Sequence, residues 1–310
     1  MRDTKMIRTV PVEEINERVY LAPRDFVYEC EKEYSDQLEQ TVTDILESGK
    51  RVVFLAGPSA SGKTTTANFL ANRLERRGIH ATVVSMDNFY LGRGNVPLLE
   101  DGTEDYESVY ALDVGRINAC MDQLYEYGCT NFPIFDFAID RPSDETQTIR
   151  IGAESILIVE GIHALNPLFS QNQFGQSMAK LYVSVNTQFT YRDRIVYSPR
   201  TIRYVRRLVR DYHFRGQPLE RTTEMWGNVC KGEELYIRPF KDQADWWIDS
   251  TLNYEGCVFH HFLYTILNEN KYRIGPELRE LNELYEIFDY FDDIDKEEIP
   301  AESLLHEFIK

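Results

Sequence analysis

The sequence predicts an α/β fold in which a mostly parallel sheet is flanked by helices. Its apolar stretches of strand length are residues 51–56, 79–85, 155–159, 180–185 and 244–250. Two segments have apolar residues at helical spacing. Residues 63–77 lie between the first and second of these stretches, and residues 112–127 lie between the second and third. Alternating strands and helices favour parallel pairing, because each helix carries the chain back to the start of the next strand. The 310 residues can hold one large domain with extensions.

Two helical extensions are predicted on either side of a core at 51–251. In the first, residues 1–50, apolar residues recur at helical spacing over about 25–48, and Gly49 is a typical helix end. The second, residues 252–310, is acidic and helical in pattern, and we expect it to pack on the core.

Two regions of the core are predicted to serve the substrates. Residues at about 130–152 form a small β-rich insertion that would bind the phosphate acceptor. From residue 187 onward the pattern is mostly helical, and a helical lid is predicted at about 198–240. Its first helix would begin at Ser198 and Pro199, an N-cap residue followed by a first-turn proline.

A phosphate-binding loop fills the turn after the first core strand. Residues 57–64 read Gly-Pro-Ser-Ala-Ser-Gly-Lys-Thr and match the pattern G-x-x-x-x-G-K-[ST], with a strand before it and a helix after it. The glycines let backbone N–H groups turn towards phosphates, the lysine supplies a charge and the threonine a hydroxyl for Mg²⁺. An ordinary glycine turn is the alternative. The predicted contacts of ATP are Gly57, Ser59, Ala60, Ser61, Gly62, Lys63, Thr64 and Thr65.

Two carboxylates follow neighbouring strands of the predicted sheet. Glu160 ends the strand at 155–159, where this class of enzyme holds Mg²⁺ directly or through water, together with Thr64. Asp87 follows the strand at 79–85 on the same edge, where ligands of open α/β sheets bind. It could accept a proton from a substrate hydroxyl or help to hold Mg²⁺. The alternatives are a helix-capping carboxylate for Glu160 and a turn residue for Asp87.

Eight arginines and no lysine lie between Arg192 and Arg215. Guanidinium groups bind phosphate through two parallel hydrogen bonds, so the arginines on the lid helix are candidates for contacts with the transferred phosphoryl group. These are Arg203, Arg206, Arg207 and Arg210, with Arg215 after them. The alternative is a solvated helix that pairs with acidic residues. His163 could touch a substrate, and a buried structural histidine is an equal alternative.

The composition and charge of the chain limit the kinds of partner that we expect. A net charge of −17 argues against a nucleic-acid partner. The longest apolar runs are too short to cross a bilayer, and the first residues lead into no signal-peptide core. Five scattered cysteines without C-x-x-C spacing favour a reduced, cytoplasmic setting. We therefore expect a small-molecule substrate and no membrane partner.

Four motifs together resemble the uridine kinase and phosphoribulokinase family. They are the loop at 57–65, Ser-Met-Asp-Asn-Phe-Tyr at 85–90, Val-Glu-Gly-Ile at 159–162, and Arg-Arg-Leu-Val-Arg-Asp at 206–211 with Arg215 and Gly216. The likeness is greatest to bacterial uridine kinase-related proteins and covers about residue 50 to the end. It implies a P-loop NTPase fold and ATP-dependent phosphorylation of a hydroxyl, usually the 5′-hydroxyl of a nucleoside such as uridine or cytidine. It also allows for a homo-oligomer.

The resemblance implies a role for each matching residue. Asp87 falls on the catalytic aspartate and Glu160 on the acidic Mg²⁺ residue. Glu107 falls where uridine kinases hold the ribose hydroxyls, and Arg207 on its arginine partner. Lys63 with Arg210 and Arg215 would act on the phosphates during transfer.

Departures from the family pattern concern the acceptor. Phe135-Asp-Phe137 stands in place of Tyr-Asp-Phe, and Asp140 stands at the histidine that reads a pyrimidine base. The predicted acceptor contacts are Glu107, Arg207, Phe135, Phe137, Asp140 and His163. A sugar, a sugar phosphate or a polyol is the alternative acceptor. A nucleotide-binding regulatory protein is a further alternative, although the guanine-binding signature N-K-x-D is missing.

Overall fold

The computed structural model describes residues 6–152, 154–270 and 279–310. The strands are β1 (Arg8–Pro11), β2 (Val52–Ala56), β3 (His80–Ser85), β4 (Cys129–Asp136), β5 (Arg141–Arg150), β6 (Ser155–Glu160), β7 (Ala179–Ser184), β8 (Thr187–Tyr191), β9 (Arg194–Tyr197) and β10 (Trp246–Asp249). The α-helices are α1 (Val12–Leu21), α2 (Pro23–Ser48), α3 (Lys63–Arg76), α4 (Val114–Tyr127), α5 (Pro199–Arg215), α6 (Leu219–Gly232), α7 (Glu255–Asn270) and α8 (Arg279–Phe288).

A five-stranded sheet in the order β10-β7-β2-β6-β3 forms the centre, and every pairing in it is parallel. This confirms the predicted α/β fold. The central strands β2 and β6 are buried along their whole length, because helices cover both faces of a parallel sheet. Alternate residues of β2 therefore point into different cores. Val53 and Leu55 pack towards α2, α3 and α5, whereas Val52 and Phe54 pack towards α4 and the insertion.

The predicted helix ends follow their sequence signals. Gly49 ends α2 at φ 66°, and Ser198 begins α5 by accepting a hydrogen bond from the backbone N–H of Thr201 at 3.2 Å. Pro199 is the first residue of that helix. Among the described residues, no helix is both long and apolar enough to cross a membrane.

Residues 187–197 differ from the helical pattern predicted there. They form the antiparallel hairpin β8–β9, which pairs in parallel with β1 to make a separate three-stranded sheet. Its turn residues Arg192 and Asp193 have φ 48° and 62°, a conformation that closes tight hairpins but that neither residue type signals strongly. The insertion predicted at about 130–152 consists of β4 and β5, which form a two-stranded antiparallel sheet.

The C-terminal region continues with α7 and α8 and returns to the sheet through residues 303–310. Leu304, Leu305 and Phe308 are fully buried there, against the helices of the core. Residues 271–278 of the predicted C-terminal helical extension lie outside the described part of the chain.

Candidate active site

The loop between β2 and α3 brings backbone N–H groups together at one edge of the sheet. A Cβ atom on Gly57 would lie 2.0 Å from the carbonyl oxygen of Val183, and Gly62 adopts φ 82°. Neither position can carry a side chain without moving its surroundings. Helix α3 begins at Lys63, directly after the loop. The open N-terminus of this helix and the lysine charge together make a site for an anion such as phosphate.

Side chains of the loop already contact the parts of the site that the sequence predicts. The Lys63 ammonium donates to the carbonyl oxygen of Pro58 at 3.3 Å, and the Thr64 hydroxyl donates to Oε1 of Glu160 at 3.3 Å. The Ser61 hydroxyl is buried and has no hydrogen-bond partner among the described residues. Thr64, at the start of the helix that follows β2, thus meets Glu160 at the end of the neighbouring strand β6.

The two predicted carboxylates occupy neighbouring strand ends. Strands β3 and β6 pair so that Ser85 lies opposite Glu160, and Asp87 follows two residues later. Burial raises the pKa of Glu160, the charge of Lys63 opposes this rise, and the charge of Asp87 adds to it. Both carboxylates therefore act on one another and on the same lysine.

Asp87 is partly accessible and lies among positive charges. Burial raises its pKa, and the charges of Lys63, Arg215 and Arg210 oppose that rise. The charges of one lysine and two arginines thus act on this carboxylate, which lies at the same edge of the sheet as the loop. The structure thus brings together the four residues that the sequence predicts for catalysis.

The chemistry of this region fits magnesium bound to a nucleotide. Thr64, Glu160 and Asp87 offer only oxygen ligands, which Mg²⁺ prefers. The described residues contain no cluster of three or more His, Cys, Asp or Glu side chains suited to a metal. Mg²⁺ in phosphoryl-transfer sites takes one or two protein ligands and fills its shell with phosphate oxygens and water, so the sparse ligand set agrees with it.

Helix α5 uses its arginines in two different ways. Arg206 is completely buried, and its guanidinium group binds both carboxylate oxygens of Glu255, at 2.7 and 3.0 Å. It also donates to the carbonyl oxygen of Ala60 at 3.4 Å. Arg206 therefore ties the helix to the phosphate-binding loop and to α7, and it is not free to bind a ligand as the arginine pattern predicted.

Asp211 holds three more arginines together. Its carboxylate is fully buried and lies 3.4 Å from Arg207, 3.6 Å from Arg210 and 3.1 Å from Arg215. Arg207 also donates to the hydroxyl of Ser59 at 2.9 Å, so it reaches the phosphate-binding loop as well. One anion thus holds three cations close together, which favours their binding of a second anion. Sequence reasoning did not assign a role to Asp211.

Glu107 lies within electrostatic range of Asp87. It packs on Gly232 of α6, where an added Cβ would lie 2.4 Å from the Glu107 Cβ. Burial raises the pKa of Glu107 to about 7; Arg207 and Lys63 oppose the rise, and Asp105 and Asp87 add to it. The predicted pair of Glu107 and Arg207 is therefore within electrostatic range of the catalytic region.

Aromatic rings line the approach to this carboxylate. The rings of Tyr90 and Phe135 have centroids 6.0 Å apart, and those of Phe135 and Phe137 are 5.0 Å apart. Tyr106 stands 5.8 Å from Tyr90 and donates its hydroxyl to Oδ2 of Asp140 at 2.5 Å. Phe135 is buried, whereas Phe137 is 65% exposed. Tyr90 and Tyr106 were absent from the predicted acceptor contacts. The available signals were the family motif at 85–90, which ends at Tyr90, and the position of Tyr106 next to Glu107.

His163 is buried and is not exposed beside these aromatic rings. It is 1% exposed, and its ring stands edge-on to Tyr236 at 6.0 Å. Burial lowers the pKa of His163 to about 4, while the nearby backbone of Glu107 and Tyr236 opposes the fall. The imidazole is therefore neutral at physiological pH. A direct contact of His163 with substrate stays a prediction.

The C-terminal segment adds a contact that was not predicted. Thr65 of the loop donates its hydroxyl to Oε2 of Glu307 at 2.6 Å, and Arg210 lies 3.5 Å from the other oxygen of the same carboxylate. Some 240 residues separate Thr65 from Glu307, so only the folded chain brings them together.

Comparison with known proteins agrees with this geometry. Residues 52–254 match the model of the phosphoribulokinase / uridine kinase family. Over 195 residues the chain is 29% identical to the uridine kinase of Lactobacillus helveticus and 27% identical to that of Bacillus pumilus, covering 63% of this chain and 83% of each relative. A structure described as a possible uridine kinase from Bacillus stearothermophilus shares 20% identity at a TM-score of 0.47, covering 70% of this chain and 100% of that one. The chain therefore belongs to the phosphoribulokinase / uridine kinase family, as a phosphotransferase whose acceptor is a hydroxyl group.

Proposed function

We propose that the protein transfers the γ-phosphoryl group of ATP to the 5′-hydroxyl of a nucleoside of the uridine or cytidine type. The observation that carries this proposal is that the phosphate-binding loop meets two carboxylates at the carboxyl edge of the sheet: Thr64 donates to Glu160, and Asp87 follows the strand paired with that of Glu160. Phosphoryl transfer needs a phosphate cradle, a magnesium ligand and a base for the acceptor proton. The curated relatives described above are uridine kinases, which supports the nucleoside as acceptor.

On the donor side, the loop from Gly57 to Thr65 would cradle the phosphates, with Lys63 reaching the β- and γ-phosphates. Thr64 and Glu160 would hold Mg²⁺, directly or through water. When bound, Mg²⁺ neutralises charge that moves onto the leaving oxygen. Arg210 and Arg215 would stabilise the equatorial oxygens of the transferred group, because their guanidinium groups face the same region as Asp87.

On the acceptor side, Asp87 would take the proton of the attacking hydroxyl. The hydroxyl oxygen then forms a bond to the γ-phosphorus while the bond between that phosphorus and the β-bridging oxygen breaks, and ADP leaves. The pKa of Asp87, raised by burial, makes it a stronger base than an exposed aspartate. Its main contribution would be to orient the hydroxyl in line with the leaving group.

The sugar and base would meet two different surfaces. Glu107 and Arg207 offer an acceptor and a donor for ribose hydroxyls within range of Asp87. Tyr90 and Phe135 offer ring faces and edges against which a flat base can pack. These contacts support a nucleoside over a ligand without a ring.

A neutral sugar or polyol is the second candidate acceptor. The observation that favours it is the hydrogen bond between Tyr106 and Asp140, which puts a carboxylate where the family reads a pyrimidine with histidine. Asp140 and Glu104 both contact the Tyr106 hydroxyl, and two carboxylates at that end of the acceptor side repel a sugar phosphate. A neutral polyol therefore ranks ahead of an anionic one.

A panel of acceptors tests the proposal. The protein is incubated with Mg·ATP and, in turn, uridine, cytidine, adenosine, ribose, glycerol and ribose 5-phosphate, and the release of ADP and the phosphorylated product are measured. We expect the highest kcat/KM for uridine or cytidine. Turnover only with sugars or polyols would support the second candidate, and no stimulation of ADP release by any acceptor would contradict both. Lys63→Met serves as the control that assigns turnover to this loop.

A further inference from the structure

The C-terminal segment, residues 303–310, is built against the phosphate-binding loop. A Cβ on Gly62 would lie 2.7 Å from a methyl carbon of Leu304, and the Arg206 guanidinium lies 5.1 Å from the centre of the Phe308 ring. Leu304, Leu305 and Phe308 are completely buried. Apolar contacts therefore fix the position of this segment beside the loop.

One polar side chain of the segment points into the donor side. The carboxylate of Glu307 accepts from the Thr65 hydroxyl at 2.6 Å and lies 3.5 Å from a guanidinium nitrogen of Arg210. Thr65 and Arg210 are both residues that we predict to contact ATP phosphates. The side chain of Glu307 is 18% exposed, so water screens these contacts only in part.

A carboxylate and a phosphate bind the same kinds of hydrogen-bond donor. Both present anionic oxygens that accept hydrogen bonds from hydroxyl and guanidinium groups. Arg206, which also feels the charge of Glu307, is already saturated by Glu255 and is not available as a second partner. A triphosphate that approaches Thr65 and Arg210 therefore finds the Glu307 carboxylate already in contact with both.

We propose that Glu307 is a built-in phosphate mimic that competes with the nucleotide for Thr65 and Arg210, and thereby sets the affinity for the phosphate donor. This inference rests on the proposed function of the site. Donor binding turns the Glu307 carboxylate away from both partners, which costs their contacts and weakens the observed affinity. The C-terminal segment thus acts on the reaction from 240 residues away in the chain.

Removing one charge tests the competition directly. Glu307→Gln keeps the size of the side chain and can still accept from Thr65, but it removes the negative charge. Calorimetric titration with the Mg²⁺ complex of a non-hydrolysable ATP analogue, which carries the γ-phosphate that Arg210 would contact, should give a dissociation constant about tenfold lower than that of the wild type. The matched control is Glu302→Gln, an equal loss of charge on an exposed residue of the same region, which should leave the constant unchanged. Unchanged or weaker binding by Glu307→Gln overturns the proposal.

Hydrogen exchange of the wild type gives an answer without any variant. The backbone N–H groups of Phe308 and Ile309 bond to the carbonyl oxygen of Leu305 at 2.8 and 3.1 Å, and they report on the segment. We expect Mg·ADP to speed their exchange, because the contact of Glu307 with Thr65 is lost. Unchanged or slower exchange there, with Mg·ADP bound, counts against the proposal. If neither the wild type nor the variant binds the ATP analogue, the proposed function itself fails.

Discussion

The donor side and the acceptor side of the site are held in place by different kinds of contact. The donor side depends on backbone and on buried charge. Both glycines of the loop after β2 are buried, and the ion pair of Arg206 with Glu255 has no solvent access. The acceptor side depends on side chains of loops and of the peripheral β4–β5 hairpin. There Phe137 is 65% exposed and Asp140 is partly exposed.

This contrast has a consequence for the chemistry. Donor contacts join distant parts of the chain, so a change there disturbs the core. The predicted acceptor contacts Phe135, Phe137 and Asp140 belong to the β4–β5 hairpin, which shares no strand with the central sheet, so their identities can change at little cost to stability. Phosphoryl transfer is therefore fixed by the fold, whereas the choice of acceptor depends on a few side chains.

The largest expected effect is at Asp87, where the two sides meet. Asp87→Asn removes the proton acceptor but keeps the size and hydrogen-bonding capacity of the side chain. We expect kcat to fall about 10³-fold, within the range for loss of a general base, while calorimetry shows Mg·ADP binding within a few-fold of the wild type. Asp136→Asn, on the hairpin, is the matched control. A variant that keeps its transfer rate would remove Asp87 from the mechanism.

A donor-side change away from the chemistry comes next. Glu255→Gln leaves the buried guanidinium of Arg206 without a counter-charge, and we expect the free energy of unfolding to drop by about 3–5 kcal/mol. Urea denaturation measures the drop. The double variant Arg206→Met/Glu255→Leu should recover most of the loss, because it removes both charges together. A single variant as stable as the wild type would contradict a structural role for this pair.

The sequence predicted the parts of the fold that depend on local pattern. Apolar runs gave the five parallel strands, and Gly49, Ser198 and Pro199 marked helix ends correctly. The β8–β9 hairpin escaped prediction because its turn is closed by Arg192 and Asp193 in a left-handed conformation, with no glycine or asparagine to signal it.

In the site, local motifs predicted the loop and the carboxylates, but they could not rank the arginines. Arg206 and Arg207 are adjacent in sequence, yet one is sealed against Glu255 and the other reaches Ser59. Their difference arises from helix rotation and from partners 49 and 148 residues away, so it exists only in the folded chain. No role was predicted for Glu307 for the same reason.

The proposed role of Glu107 on the acceptor side can be tested by varying the pH. Burial raises the pKa of Glu107 to about 7, so this carboxyl group is mostly protonated at pH 6 and mostly ionised at pH 8. The ionised form offers two charged acceptor oxygens to the ribose hydroxyls, whereas the protonated form offers a neutral and weaker acceptor. Uridine binding should therefore tighten about tenfold between pH 6 and pH 8. Calorimetry of Glu107→Gln should show no such change, whereas exposed Glu100→Gln should behave like the wild type. A pH dependence that survives in Glu107→Gln would assign the titration to another group.

The smallest expected effect concerns Asp140, the residue that separates this acceptor side from that of the family. Asp140→His would restore the side chain that the family uses to read a pyrimidine, at a position with φ 54°. Histidine tolerates that conformation better than most residues, so the fold should survive. The change also releases the Tyr106 hydroxyl from its 2.5 Å hydrogen bond, which costs part of the gain. We therefore expect kcat/KM for uridine, relative to ribose, to rise only about three- to tenfold. Asp140→Asn is the control for loss of charge alone. If Asp140→His instead lowered the preference for uridine, the carboxylate itself would be part of nucleoside recognition, and the acceptor side would be specialised rather than degraded.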